Sequence, residues 1–129
     1  TARIIAGELK DTKGPAKTYS PVQLWDIGLP QKSVSLDIPY PADHTCVVFC
    51  RRGRVKVHDK ILEPQDVAIM KTDDTTSLQL EVLQDNSAVL VMGGEPLNEP
   101  IANMGPFVMN TNEEIQQAVM DFRSGRMGR

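Results

Sequence analysis

The chain has 129 residues, a length that suits one domain built around one core. Hydrophobic residues make up 40% and the formal charge is −3, so the basic excess of a nucleic-acid-binding surface is missing. No apolar run approaches the ~18 residues needed to span a bilayer, and the opening TARIIAGELK lacks the apolar centre and cleavage site of a signal peptide.

In chain order, Val22 to Leu29 reads as a strand and carries the single tryptophan, Trp25. A lone tryptophan in an apolar strand is more often core, although Trp25 could instead stack on a planar ligand in a barrel mouth. Ser33 to Ile38 alternates polar and apolar without a break, the mark of a half-buried strand. The run HTCVVFC follows, then Ala88 to Met92; both are continuously apolar and so are expected to be covered on both faces. Cys46 and Cys50 share a strand face roughly 13 Å apart, too far for a disulfide. Two buried, reduced thiols fit a cytoplasmic protein.

Val55 and Val57 alternate with Lys56 and His58, and Asp59-Lys60 is expected to reverse the chain into Ile61 and Leu62 as a hairpin. Ser77 to Val82 places Leu78, Leu80 and Val82 inward, with Gln79 and Glu81 outward. The clusters Arg51-Arg52 and Asp73-Asp74 read as solvated loop ends. Asp73-Asp74 is also one of several turn signals between the strands. Many short strands at this spacing argue for a sandwich or barrel. No internal repeat or shift of composition divides residues 1–129, which are expected to form one domain.

One helix is expected near the end. Thr111 is its N-cap, and Glu114 three residues on completes a capping box. Glu113 and Glu114 suit the positive end of the dipole. Ile115, Ala118, Val119 and Phe122 form one apolar stripe, and Gly125 can adopt a left-handed cap. Every signal here concerns helix formation and none concerns chemistry.

The middle of the chain reads Gly53-Arg-Val-Lys-Val-His, then Leu62-Glu-Pro64-Gln-Asp66-Val. This resembles the cupin pattern of a glycine opening a strand, a hairpin, and a tight Pro-Gly-Asp turn. Gln65 stands where that pattern has glycine. A type I turn led by Pro64 tolerates glutamine whereas a type II turn does not, so a type I turn is expected. Metal-dependent cupins place His-x-His before the glycine and another histidine after the turn. By register these places fall near Pro39-Tyr40-Pro41 and near Ile69, none of them a histidine. Only His44 and His58 remain in the chain. A catalytic metal needs about three converging ligands. His44 with Cys46 is the one ligand pair worth weighing; otherwise His44 starts a strand and His58 sits at a hairpin tip in water. There is no GxSxG, P-loop or GxGxxG motif. Gly93-Gly94 is followed by Glu95 and by no helix, which argues against a phosphate loop.

The stretches RIIAGE, GPAKTYSP, GGEPLNEP and GPFVMNTNEEIQQAVMDFRSGRMG resemble the C-terminal cupin domain of the pirin family. The resemblance runs from Arg3 to Gly128, specific from Gly93 onward and looser between Asp43 and Asp85. It implies an all-β, cupin-like barrel (double-stranded β-helix or jelly roll) with one C-terminal α-helix. Pirins have two cupin domains, the first holding the metal. Similarity to the second alone implies no metal residues, no cofactor and no catalytic residue here.

Two functions follow from that resemblance. One is a non-catalytic, metal-free module binding a partner chain or a small ligand, with Trp25, His44 and Cys46 as barrel-lining or ligand-contact candidates. The other is part of a quercetinase-type dioxygenase whose active domain lies outside this chain. A homodimer is expected through the face that would pack on the first pirin domain. Neither nucleic acid nor membrane is an expected partner.

Overall fold

The computed structural model describes residues 1–71 and 76–128. The Asp73-Asp74 pair lies outside the described residues. The described chain forms two compact units, Thr1–Pro96 and Leu97–Arg129.

The first unit is made of strands. β1 (Ala2–Ala6), β4 (Val22–Leu29), β6 (Thr45–Arg52), β9 (Val67–Ile69) and β11 (Ser87–Gly94) form a five-stranded sheet in the order β1-β4-β11-β6-β9. β5 (Ser35–Pro39), β7 (Val55–Val57), β8 (Lys60–Leu62) and β10 (Ser77–Val82) form a second sheet in the order β5-β10-β7-β8. β2 (Glu8–Leu9) and β3 (Thr12–Lys13) make a short hairpin of their own. All the pairings are antiparallel.

Alternation sends one face of each sheet into a shared core. Trp25, Ile27 and Leu29 of the larger sheet meet Leu78, Leu80 and Val82 of the smaller one in a single buried cluster. This is a two-sheet antiparallel β architecture, and the strands from Val22 to Leu29 and from Ser77 to Val82 have the bounds that periodicity predicts.

Four local expectations are corrected. First, β5 begins at Ser35 rather than Ser33, because Ser33 takes a left-handed φ of 63° that breaks the extended run. Second, β6 and β11 are not covered on both faces: Val47, Phe49, Leu90 and Met92 point outward and are only half-buried. Third, the β7–β8 reversal falls on His58-Asp59, with His58 at φ 51°. Fourth, Arg51 and Arg52 do more than cap a loop. Arg51 binds Asp26 at 2.7 Å, and Arg52 Nε donates to the Asn86 carbonyl at 2.9 Å.

The turn at Pro64 is also not type I. Asp66 N donates to Glu63 O at 3.0 Å, and Gln65 lies at φ 76°, the left-handed position of a type II turn. The surrounding bonds impose it. Gln65 N donates to Cys50 O at 2.7 Å and Cys50 N donates to Asp66 O at 2.9 Å, docking the turn on the end of β6. Asp66 Oδ2 accepts from Glu63 N at 2.9 Å and closes the loop from within.

Gly53, which opens the loop before β7, needs both its φ of 76° and its missing side chain. A Cβ there would run into Ser87. Ser87 is fully buried; its hydroxyl accepts from Arg54 N at 3.0 Å and lies 2.6 Å from the Gln84 carbonyl.

The second unit holds β12 (Ala102–Met104), β13 (Phe107–Met109) and α1 (Asn112–Arg123). β12 and β13 pair as a hairpin on which α1 packs. The capping box forms as the sequence predicts: Glu114 N donates to Thr111 Oγ1 at 3.2 Å, and Thr111 N donates to Glu114 Oε2 at 3.0 Å. Gly125 takes φ 70°. Of the apolar stripe, Ile115 and Ala118 are buried. Phe122 stays 65% exposed, and its packing is an edge contact with Phe107, ring centres 5.9 Å apart. No helix among the described residues is long and apolar enough to cross a membrane.

Candidate functional site

The first unit carries a half-open pocket of about 740 Å³. That lies within the range typical of small-molecule sites. Its inner wall is apolar, formed by Val57, Leu62, Leu78, Ala68 and Met70 together with Cys46. Both histidines of the chain line it, together with Lys60, Lys71, Asp59, Asp66 and Ser77. His44 and Cys46 are therefore brought together in one cavity. Trp25 is not in it. It lines a neighbouring recess of about 460 Å³ with Gln23 and Tyr40, and is 1% exposed.

His44 precedes β6, where the chain turns back after Pro41; its backbone N donates to the Pro41 carbonyl at 3.2 Å. The side chain is half-buried, with Nδ1 3.0 Å from Oε1 of the buried Gln23 on β4. This contact commits one ring nitrogen and leaves Nε2 for another partner. Periodicity places Gln23 on the inward face of β4, but only the structure shows what it binds.

His58 does not stand in open water. Its ring is half-buried against β10: Gln79 N approaches Nε2 at 3.5 Å, and His58 N donates to Gln79 O at 3.0 Å.

Tyr40 is the residue that sequence reasoning missed. In the sequence it looks like a turn residue between two prolines. In the structure it is 6% exposed, with its hydroxyl donating to Thr45 O at 2.6 Å and its ring edge-on to Trp25, centres 5.7 Å apart. Trp25 Nε1 is buried with no hydrogen-bond partner among the described residues. The aromatic content of Pro39-Tyr40-Pro41 was the only available signal.

Burial pushes the Cys46 thiol up to about 11, an effect the nearby Tyr40 hydroxyl partly offsets. Burial also raises Tyr40, and the neighbouring Cys46 adds to the shift. Cys50 is raised mainly by burial as well. At neutral pH both thiols are protonated, so neither is a ready nucleophile or metal thiolate. Both are free.

Gly93 makes the Tyr40 contact sterically feasible. It faces Cys46 across the β11–β6 ladder, and a Cβ on it would collide with the Thr45 carbonyl and the Tyr40 hydroxyl. Gly93-Gly94 therefore serves close strand packing and carries no phosphate-loop geometry.

The donor set does not fit a cupin metal. Among the described residues, no group of three or more His, Cys, Asp or Glu side chains could hold an ion. Pro39 and Tyr40 stand at one expected ligand place. At the other, Ile69 turns outward at 79% exposure, and its neighbours Ala68 and Met70 face the core.

The model of the Pirin C-terminal cupin domain matches residues 24–128. The chain belongs to the pirin family, as a C-terminal cupin domain. It is 46% identical over 125 residues to a Pseudomonas aeruginosa protein named "Putative quercetin 2,3-dioxygenase", covering 96% of this chain and 42% of that protein. It is 34% identical over 132 residues to pirin of Rattus norvegicus, covering 99% of this chain and 45% of pirin. In three dimensions it is similar to a crystal structure of quercetin 2,3-dioxygenase from Acinetobacter baumannii, with a TM-score of 0.83 and 42% identity, covering 98% of this chain and 43% of that one. The chain thus spans less than half the length of each of these three proteins.

Proposed function

We propose that this pirin-family chain is a non-catalytic, metal-free cupin module that holds a small ligand in its barrel. The observation that carries this reading is the pocket of about 740 Å³, lined by apolar side chains, two imidazoles and four charged side chains, in which no three His, Cys, Asp or Glu side chains among the described residues are grouped to hold a metal. The proposal includes a cytoplasmic setting, which agrees with two free, buried thiols.

Two measurements test it. Metal analysis of the purified protein is expected to return far less than one equivalent of iron, and stoichiometric iron would overturn the metal-free reading. An NMR fragment screen is expected to find small molecules that shift the amides of Cys46, Val57 and Leu78. A screen with no hit at these amides would remove the ligand-binding reading.

A second reading rests on the name and coverage of the relatives: the chain serves as the metal-free half of a quercetinase-type dioxygenase. Chelator-sensitive oxygen consumption with quercetin by a two-domain protein that contains this chain, and none by this chain alone, would favour it; such activity in this chain alone would overturn it.

A further inference from the structure

We infer that the recess of about 460 Å³ lined by Trp25 is a second binding site, which takes a small neutral molecule carrying a hydrogen-bond acceptor such as a ketone carbonyl. It is separate from the site proposed for the larger pocket, although Tyr40 and Pro41 line both. Trp25 is 1% exposed, and its Nε1 is the one buried side-chain nitrogen or oxygen without a hydrogen-bond partner among the described residues. An indole N–H can only donate. Left unpaired in an apolar setting it costs free energy, which an acceptor brought by a ligand recovers.

The remaining groups of the recess narrow the class of ligand. Gln23 has its Oε1 engaged with His44 Nδ1 at 3.0 Å, which leaves its amide N–H groups as further donors. The Tyr40 hydroxyl donates to the Thr45 carbonyl, and its ring stands edge-on to Trp25. Leu9, Pro39 and Pro41 add apolar wall that suits a compact ring. Glu8 and Lys10 line the recess at exposed positions with one charge of each sign, and Thr76 is exposed as well. These groups offer a charged head no buried countercharge, so a neutral acceptor is favoured.

Trp25 is the only tryptophan, so its indole N–H gives a single NMR resonance that reports on the site directly. The wild-type chain is titrated with cyclohexanone and with methylenecyclohexane, a molecule of similar shape that lacks the acceptor. The ketone is expected to move the indole resonance downfield, to shift the amides of Leu9 and Gln23, and to show cross-relaxation between its ring protons and the indole proton. It is expected to bind about fivefold more tightly than the alkene, as one ordinary hydrogen bond provides. Apolar contact alone would give the opposite order, because the alkene is the more apolar of the two. Equal or tighter binding of the alkene, an indole resonance that the ketone leaves in place, or no shift with either probe would overturn the inference. An indole proton held upfield in the free chain and unmoved by the ketone would overturn it by showing that the Tyr40 ring is its partner. Ketone shifts confined to the amides of Val57 and Leu78 would also overturn it, while leaving the ligand-binding reading of the larger pocket intact.

Discussion

The Tyr40 hydroxyl donates to the carbonyl of Thr45 at 2.6 Å, closing the loop that carries His44 into the cavity wall. Five residues that read as loop are thereby held by one buried phenol. Tyr40→Phe leaves the Thr45 carbonyl without this donor and is expected to cost about 1–2 kcal/mol. Denaturant melts measure the loss, and a change under a few tenths of a kcal/mol would show that the bond contributes little.

Gly93→Ala drives a methyl into the Thr45 carbonyl and the Tyr40 hydroxyl, and an overpacked site of this kind costs about 3 kcal/mol. Removing the hydroxyl relieves part of the collision. The Tyr40→Phe, Gly93→Ala double variant is therefore expected to lose less than the sum of its parts. Strict additivity would mean that the two positions do not share a contact.

Gln65→Gly should stabilise the chain. At φ 76° a glutamine carries left-handed strain of about 1–2 kcal/mol, part of which glycine returns through its more flexible unfolded chain. A net gain of about 0.5–1 kcal/mol is expected, whereas Gln65→Ala should gain nothing because it keeps the Cβ. Thermal melts of the two variants side by side decide it.

The raised thiol makes stability fall in alkali. Cys46 ionises near 9.0 when unfolded and only at about 11 when folded. Its contribution is complete below pH 9 and lost as pH climbs toward 11, because the unfolded chain releases the proton first. The slope from this one group approaches about 1.4 kcal/mol per pH unit inside that window. Urea midpoints for wild type and Cys46→Ala, taken from pH 8 upward, should show a shallower decline in the variant.

The homodimer is a prediction of the same kind. Ile69 and Val67 lie on β9, an edge strand of the five-stranded sheet, and are 79% and 53% exposed. We expect light scattering after size exclusion to give a dimer in which Ile69→Glu weakens association. A monomeric wild-type peak would remove the proposal.

The legible parts of the fold were those where a local pattern coincides with a tertiary role. Leu78, Leu80 and Val82 alternate because one face of β10 is core, and Thr111 with Glu114 caps α1 through contacts three residues apart. The illegible parts depend on distant partners. Gln65 reads as fit for a type I turn until the Cys50 backbone, far back in sequence, forces the other geometry. β2, β3, β12 and β13 have too few residues for a period to appear. At the site, His44 and Cys46 could be named from composition, but the burial of Tyr40 and its pairing across to Thr45 could not, because the flanking prolines advertise a turn.

The strand order β1-β4-β11-β6-β9 has a consequence for synthesis. β4 and β6 have no direct bonds to each other, and both wait for β11, which ends at Gly94. A nascent chain on the ribosome can pair β4 with β1 and β6 with β9, yet these two half-sheets have no shared neighbour until residues 87–94 have emerged from the exit tunnel. The Thr1–Pro96 unit is thus committed to closing late and by long-range pairing, the slow class of folding step. Until then the inward faces of Trp25 and Val48 are open to chaperones.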